Sequence, residues 1–193
     1  MSKELKQPAF TRRSTDLEPK RSLLPVVWIA FSVAIFDWTT KALVATTIPL
    51  GGRIEAWPDR IALWHVRNNA MVLGLFGDLP LIWRQVIAVL LGLVGIILLR
   101  EVLTRAHRLL PKRRAWAWLF VGLVFGGMLG NLGERALHWG VTDFLSFKYG
   151  NIWLPPGNVA DLAIILSIPI SVLVIFFEIE ARAMRGSRKS DGS

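Results

Sequence analysis

The chain has 193 residues, 53% of them hydrophobic, yet 23 Lys and Arg against 14 Asp and Glu leave a formal charge of +9. Greasy and strongly basic at once is the pattern of long uncharged runs joined by cationic connectors; it excludes a disordered chain, and a soluble nucleic-acid binder would interleave its Lys and Arg with its apolar residues. Zero cysteines exclude a disulfide scaffold, thiol catalysis, Cys-ligated zinc and lipidation of the chain itself at a lipobox Cys.

Residues 1–22 are polar and charged and read as a tail. Four stretches then reach the roughly 20 apolar residues a bilayer-crossing helix needs. They lie at about 23–44, 81–99, 116–133 and 159–177, with a second polar tail over 178–193. The first span is expected to be retained rather than cleaved, because Asp37 and Lys41 stand where a small-residue cleavage site would lie. The expected fold is a single domain over 1–193, an all-α membrane protein of four transmembrane helices with a small β-sheet and short connectors on its outer side. Ile61 to Arg67 alternates and is rich in large side chains, so strands are expected there. Trp57, Trp64, Trp139, Tyr149 and Trp153 suit a membrane interface. Asp78 and Pro80 are expected to open the second span as cap and first turn.

Lys and Arg set the orientation. The two tails and the connector between spans two and three carry 16 of them; the other two connectors hold Arg53, Arg60, Arg67, Arg135 and Lys148. Both termini are therefore expected in the cytoplasm, with the basic regions against anionic lipid and no nucleic acid as partner. In this topology Asp37 and Lys41, then Asn131, Glu134 and Arg135, then Asn158 and Asp161 all reach the outer interface, and Asp143 lies in the connector between the last two groups. Ionisable groups inside spans are expensive and usually functional.

Each group also has a plainer reading. Asp37 and Lys41 are i, i+4 with the acid first, equally suited to a structural lock. Gly122-x-x-x-Gly126-x-x-x-Gly130 suits close helix packing, and Gly127, Asn131 and Glu134 share a face that would turn Asn131 into the bundle. Asn158 and Asp161 have the spacing of a helix N-cap and its N3 partner after Pro155-Pro-Gly157. His65, His107 and His138 are scattered and no HExxH or GxSxG exists, so no metal, cofactor or serine hydrolase chemistry is expected. Asp143 and Asp161 offer different chemistry. Two carboxyl groups sharing a site keep one proton between them, as in an aspartic-protease dyad, one activating water and the other polarising a carbonyl. Asp161, in a helix's first turn, is the expected base and Asp143 the acid.

These residues resemble the signal peptidase II family, the bacterial lipoprotein signal peptidases. Asp37-Trp-Thr-Thr-Lys41 is similar to the family's D-x-x-[ST]-K block, and Arg67-Asn-Asn-Ala-Met-Val-Leu-Gly74 to R-N-x-G-x-A-F-G. Gly130-Asn-Leu-Gly-Glu-Arg135 with Gly140-Val-Thr-Asp-Phe144 resembles G-N-x-x-D-R and G-x-V-D-F, and Asn158-Val-Ala-Asp161 matches N-x-A-D. The resemblance implies an intramembrane aspartic endopeptidase of the bacterial inner membrane, cutting diacylglycerylated prolipoproteins just before the lipidated Cys; the chain itself is expected to act as a monomer. It makes Asp143 and Asp161 the dyad, has Asn68, Asn131, Arg135 and Asn158 hold the substrate backbone and the dyad, and gives Asp37 and Lys41 a supporting role. Glu134 stands where the family has Asp, so contacts tuned to the shorter acid must shift. Ala70, Val72, Leu73 and Gly157 are further departures, bearing on substrate preference. A catalytically inert relative that binds lipidated signal helices, and a small four-helix transporter, are the other readings. The first expects a lost dyad, and the second polar groups at the midplane and related halves.

Overall fold

The structure, a computed structural model, describes residues 22–69, 79–106, 109, 111–138 and 140–190. The N-terminal tail to residue 21, Ala70, Val72, Leu73, Asp78, His107 and Trp139 lie outside the described residues.

Among the described residues four helices make the body: α1 (Leu24–Thr47), α2 (Leu81–Ala106), α3 (Pro111–His138) and α4 (Val159–Ser190). Their segments Leu24–Thr47, Ile82–Ala106, Arg113–His138 and Val159–Arg185 are long and apolar enough to cross a membrane. All four expected spans fall on these helices. The boundaries are set locally. Pro25 enters the first turn of α1, where its missing N–H costs nothing, and Ser22 Oγ accepts the Leu24 N–H at 3.1 Å. Pro80 precedes α2, its carbonyl accepting from the N–H groups of Trp83 and Arg84.

The polar tail expected from 178 onward is helical as far as Ser190, as a continuation of α4. Polarity ends a membrane span but does not end a helix. Glu178 Oε1 accepts from Arg182 Nε at 3.0 Å one turn on, and Arg113 of α3 reaches Glu180 Oε2 at 2.8 Å.

Helices in lipid gain little from apolar burial against one another, so they associate where small residues let backbones approach. The α3 glycines do this on two sides. A Cβ at Gly122 would lie 2.6 Å from Ile29 Cβ of α1, one at Gly126 2.7 Å from the Ala30 carbonyl, and one at Gly127 2.6 Å from the Ala160 carbonyl of α4. The packing reading of the glycine repeat therefore holds. Large apolar side chains such as Trp28, Leu98 and Ile175 face outward, as a lipid-facing bundle requires. A small core of Val26, Leu99 and Val121 ties α1, α2 and α3 near the end opposite the sheet.

At the other end sits a four-stranded antiparallel sheet in chain order, β1 (Arg53–Trp57), β2 (Ile61–Asn68), β3 (Val141–Tyr149) and β4 (Ile152–Trp153). The expected strand at 61–67 is β2. The connector holding Asp143 is also a strand, β3, and it pairs with β2 in the register Val66–Asp143, Arg67–Thr142 and Asn68–Val141. Gly150 turns β3 into β4 at a φ of +58°, a conformation open to glycine at little cost. The β2–β3 ladder is irregular between Leu63 and Val66, and there His65 exchanges backbone bonds with Gly51 and Gly52. Its Nδ1 also bonds the Ile48 carbonyl at 2.7 Å, tying the sheet to the end of α1. Phe144, Val44 and Ile48 form the core beneath it.

Candidate active site

The polar residues of α1, α3 and α4 converge under this sheet. Asn158 is the hub. Its side-chain carbonyl accepts the Asp161 N–H at 2.9 Å, and its own N–H donates to Asp161 Oδ2 at 3.2 Å. This is a reciprocal cap at the start of α4, so the capping reading of the pair is correct. The same side chain donates from Nδ2 to Asp143 Oδ1 at 2.6 Å. One residue thus holds both carboxyl groups. Backbone bonds from Phe144 and Leu145 to the Gly157 carbonyl, each 2.8 Å, fix β3 against the start of α4.

Asp143 is 3% exposed and Asn158 1%. Asn68 of β2 donates to the second oxygen, Asp143 Oδ2, at 2.7 Å. Burial pushes the Asp143 carboxyl up to about 6; the Asn68 and Asn158 amides and Lys41 oppose this, while the Asp161 charge adds to it.

Asp161 is more open than Asp143. Its Oδ1 accepts from Asn131 Nδ2 at 2.9 Å, and the Asn131 carbonyl faces Lys41 Nζ at 3.0 Å. An ammonium has no lone pair to offer, so Lys41 fixes which end of the Asn131 amide meets Asp161. Asp37, 0% exposed, pairs with Lys41 at 2.6 Å and accepts the Ala160 N–H, an orphan donor of α4's first turn, at 2.8 Å. The Asp37–Lys41 pair is therefore both a lock and part of the cluster. Gly130 makes room for it: a Cβ there would meet Asp37 Oδ2 at 2.6 Å.

Glu134 lies 3.3 Å from Lys41 Nζ and also takes Arg67 Nη1 and both donors of Thr142. The longer acid thus reaches across to the sheet. Arg135 lies within electrostatic range of Asp143 and Asp161. Every expected site residue therefore belongs to one cluster. The sequence reading missed Thr142 and the Ala160 N–H, and gave Arg67 no role. The signal for Thr142 was a hydroxyl next to the candidate acid Asp143, between the apolar Val141 and Phe144. Among the described residues, no three His, Cys, Asp or Glu side chains converge as metal ligands would.

Four membrane-length helices under a sheet, with carboxyl, amide and ammonium groups gathered at that bundle end, define a multi-pass membrane protein with a buried polar cluster. A family model described as signal peptidase (SPase) II matches residues 29–177, and the chain belongs to that family. The lipoprotein signal peptidase of Solibacter usitatus (strain Ellin6076) is 34% identical over 143 residues, covering 72% of this chain and 85% of that one. The lipoprotein signal peptidase of Nitratidesulfovibrio vulgaris (strain DP4) is 30% identical over 154 residues, covering 78% and 88%. A bacterial membrane enzyme solved by the in meso method at 2.3 Å shares the fold, with a TM-score of 0.60 at 24% identity over 78% of this chain and 87% of that one.

Proposed function

We propose that this chain is an intramembrane aspartic endopeptidase that removes signal peptides from diacylglyceryl-modified prolipoproteins, cutting before the lipidated Cys. Family membership carries the peptidase activity and the lipoprotein substrates. The aspartic mechanism rests on one observation, that Asn158 bonds both Asp143 and Asp161 inside a buried polar cluster.

In this reading Asp161 is the base and Asp143 the acid. Asp161 stands in the first turn of α4, where the positive helix end attracts a negative charge. Asp143 keeps its proton at mildly acid pH. Counting charges supports the same assignment. Asp37, Glu134, Asp143 and Asp161 face Lys41, Arg67 and Arg135, four acids against three cations, so a protonated Asp143 leaves the cluster neutral. Asp161 takes a proton from water as the oxygen attacks the scissile carbonyl carbon, and Asp143 gives its proton to the carbonyl oxygen. The tetrahedral intermediate then collapses. The C–N bond breaks, the proton on Asp161 passes to the leaving nitrogen, and Asp143 recovers its own from the hydroxyl. Asn68 and Asn158 keep the Asp143 carboxyl oriented, and Asn131 keeps Asp161 oriented.

The chain acts as a monomer in the bacterial inner membrane, with both termini cytoplasmic and the site at the outer interface. All nine site residues come from one chain, and the Lys and Arg distribution supports the orientation. The test is complementation of a strain depleted of its own lipoprotein signal peptidase. Rescue by the unmodified chain and failure of Asp143→Ala and Asp161→Ala, at equal membrane levels, is the expected outcome. Rescue by all three would overturn the dyad, and failure of all three the activity.

A further inference from the structure

The strand pair carrying Asp143 has two faces, and the proposed chemistry uses one. Successive strand side chains point to opposite faces. Arg67 stands directly opposite Thr142, so these two share a face, while Asn68 and Asp143 are diagonal neighbours on the other. On the first face Glu134 of α3 gathers the donors. Its Oε1 accepts from Arg67 Nη1 at 2.5 Å and from Thr142 Oγ1 at 2.6 Å, and its Oε2 accepts the Thr142 N–H at 3.0 Å. Arg67 Nη1 also donates to Thr142 Oγ1 at 3.0 Å, and Nη2 reaches the His138 carbonyl at 3.1 Å. The hydroxyl donates its single hydrogen to the acid and accepts from the guanidinium, closing a triangle between β2, β3 and α3. Thr142 is 4% exposed, so water cannot replace either bond cheaply.

We infer that Thr142, closed into this triangle by Arg67 and Glu134, is a positioning residue that sets the height of Asp143 over Asp161. The inference rests on the aspartic reading and deepens it. Thr142 touches no reacting atom. It adjoins Asp143 in the chain, as Arg67 adjoins Asn68, so the triangle holds the two residues whose neighbours form the Asn68–Asp143 bond. The charged groups around Asp143 are Lys41 from α1, Arg135 from α3 and Asp161 from α4, with Arg67 and Glu134 behind the sheet. A change in the strand's height alters its distance to all of them.

The experiment uses the full-length protein in lipid nanodiscs, with a diacylglyceryl-modified prolipoprotein as substrate. Wild type, Thr142→Val, Thr142→Ser, Glu134→Gln and Asp143→Asn are compared at matched folded fraction, set by thermal unfolding. Valine keeps the shape and removes the hydroxyl, so kcat is expected to fall roughly tenfold to a hundredfold, the cost of about 1 Å of misplacement at a reacting group, with KM within about twofold. The alkaline limb of the pH profile moves to lower pH as Asp143 gains access to water. Serine restores both kcat and the limb. Loss of fold alone would lower the folded fraction without moving the limb of what remains. Should the valine variant not fold, Glu134→Gln, which keeps shape but loses charge, is expected to lower kcat and shift the limb in the same direction. Wild-type kcat and an unmoved limb in Thr142→Val or, if that variant does not fold, in Glu134→Gln overturn the inference, as does a serine variant no better than valine. A fully active Asp143→Asn overturns instead the aspartic reading, whatever happens at 142.

Discussion

The two ends of the bundle both carry opposite charges, but in different company. At the end away from the sheet Arg105 pairs with Glu101, Arg182 with Glu178 and Arg113 with Glu180, each through at least one substantially exposed side chain. Such pairs suit a wet interface and stabilise little. At the sheet end Lys41 and Asp37 are 5% and 0% exposed, and Glu134 is 12% exposed. Buried ion pairs seldom outdo well-packed apolar groups of the same volume, so stability alone does not account for this cluster. What distinguishes it is that amides join the charges. Asn68, Asn131 and Asn158 each donate to Asp143 or Asp161, so the acids are held by neutral donors as well as by cations. An amide fixes a carboxyl group's position without forcing it to ionise.

The sharpest way to break the contrast is at the acids themselves. Asp143→Asn and Asp161→Asn are each expected to lower kcat by about 10³-fold, within the range for losing a general acid or base, while the bundle stays folded. Cleavage of the modified prolipoprotein in nanodiscs, with thermal unfolding alongside, measures both. Near-wild-type cleavage in either variant would make the sheet end no different in kind from the other.

Next in size is Gly130→Ala. Its Cβ would meet Asp37 Oδ2 at 2.6 Å and Ala160 Cβ at 3.0 Å, so α1 or α4 must move. Overpacking of this kind costs about 1–3 kcal/mol, and here it acts on the helix start that bears Asp161. Gly92→Ala on α2 is the control: its Cβ would find Leu132 Cδ2 at 3.7 Å and Met128 Cε at 4.0 Å, ordinary contacts, and the gain in helix propensity is up to about 1 kcal/mol. Unfolding midpoints and cleavage rates should part the two variants in opposite directions. Matched behaviour would mean that close packing at the site is not special.

A pH profile sharpens the same contrast. Because burial raises Asp143 to about 6, the free enzyme loses its acid as pH climbs through that value, and kcat/KM is expected to fall on the alkaline side. The limb belongs to the coupled pair, so it should change in both Asp143→Asn and Asp161→Asn. A flat profile from pH 5 to 8 would remove Asp143 from the acid role.

Much of this was legible before any coordinates. Spans read from apolar length alone, and once Lys and Arg set the direction of each, seven of the polar residues fell at one depth. Spacing also carried the Asn158–Asp161 cap and the Asp37–Lys41 pair, because both are encoded within one turn of helix. What stayed hidden was long-range. Asn68 and Asp143 are 75 positions apart, and nothing in either segment announces that β2 pairs with β3 in that register. The role of Thr142 depends on that register and on Glu134 having the length to reach it. A choice between capping α4 and holding Asp143 at Asn158 was also not a real choice, since one side chain does both through different atoms.

The smallest expected effect lies at the end away from the sheet. Arg113 Nη1 lies 2.8 Å from Glu180 Oε2, with side chains 27% and 37% exposed, and its guanidinium stands 5.3 Å from the Phe177 ring centre. Removing it by Arg113→Ala breaks an ion pair that water and lipid headgroups already compete for, so the loss of stability is expected to stay within about 1 kcal/mol. Cleavage should remain within about twofold of wild type, because no hydrogen bond of the cluster begins at α3's first turn and ordinary surface changes shift stability by only about 0.5 kcal/mol. A tenfold loss of kcat at unchanged folded fraction would mean that the α3–α4 contact transmits strain along the whole helix to Asn131 and Asp161. The two ends would then be one mechanical unit, and the amide-held cluster could no longer be treated as self-contained.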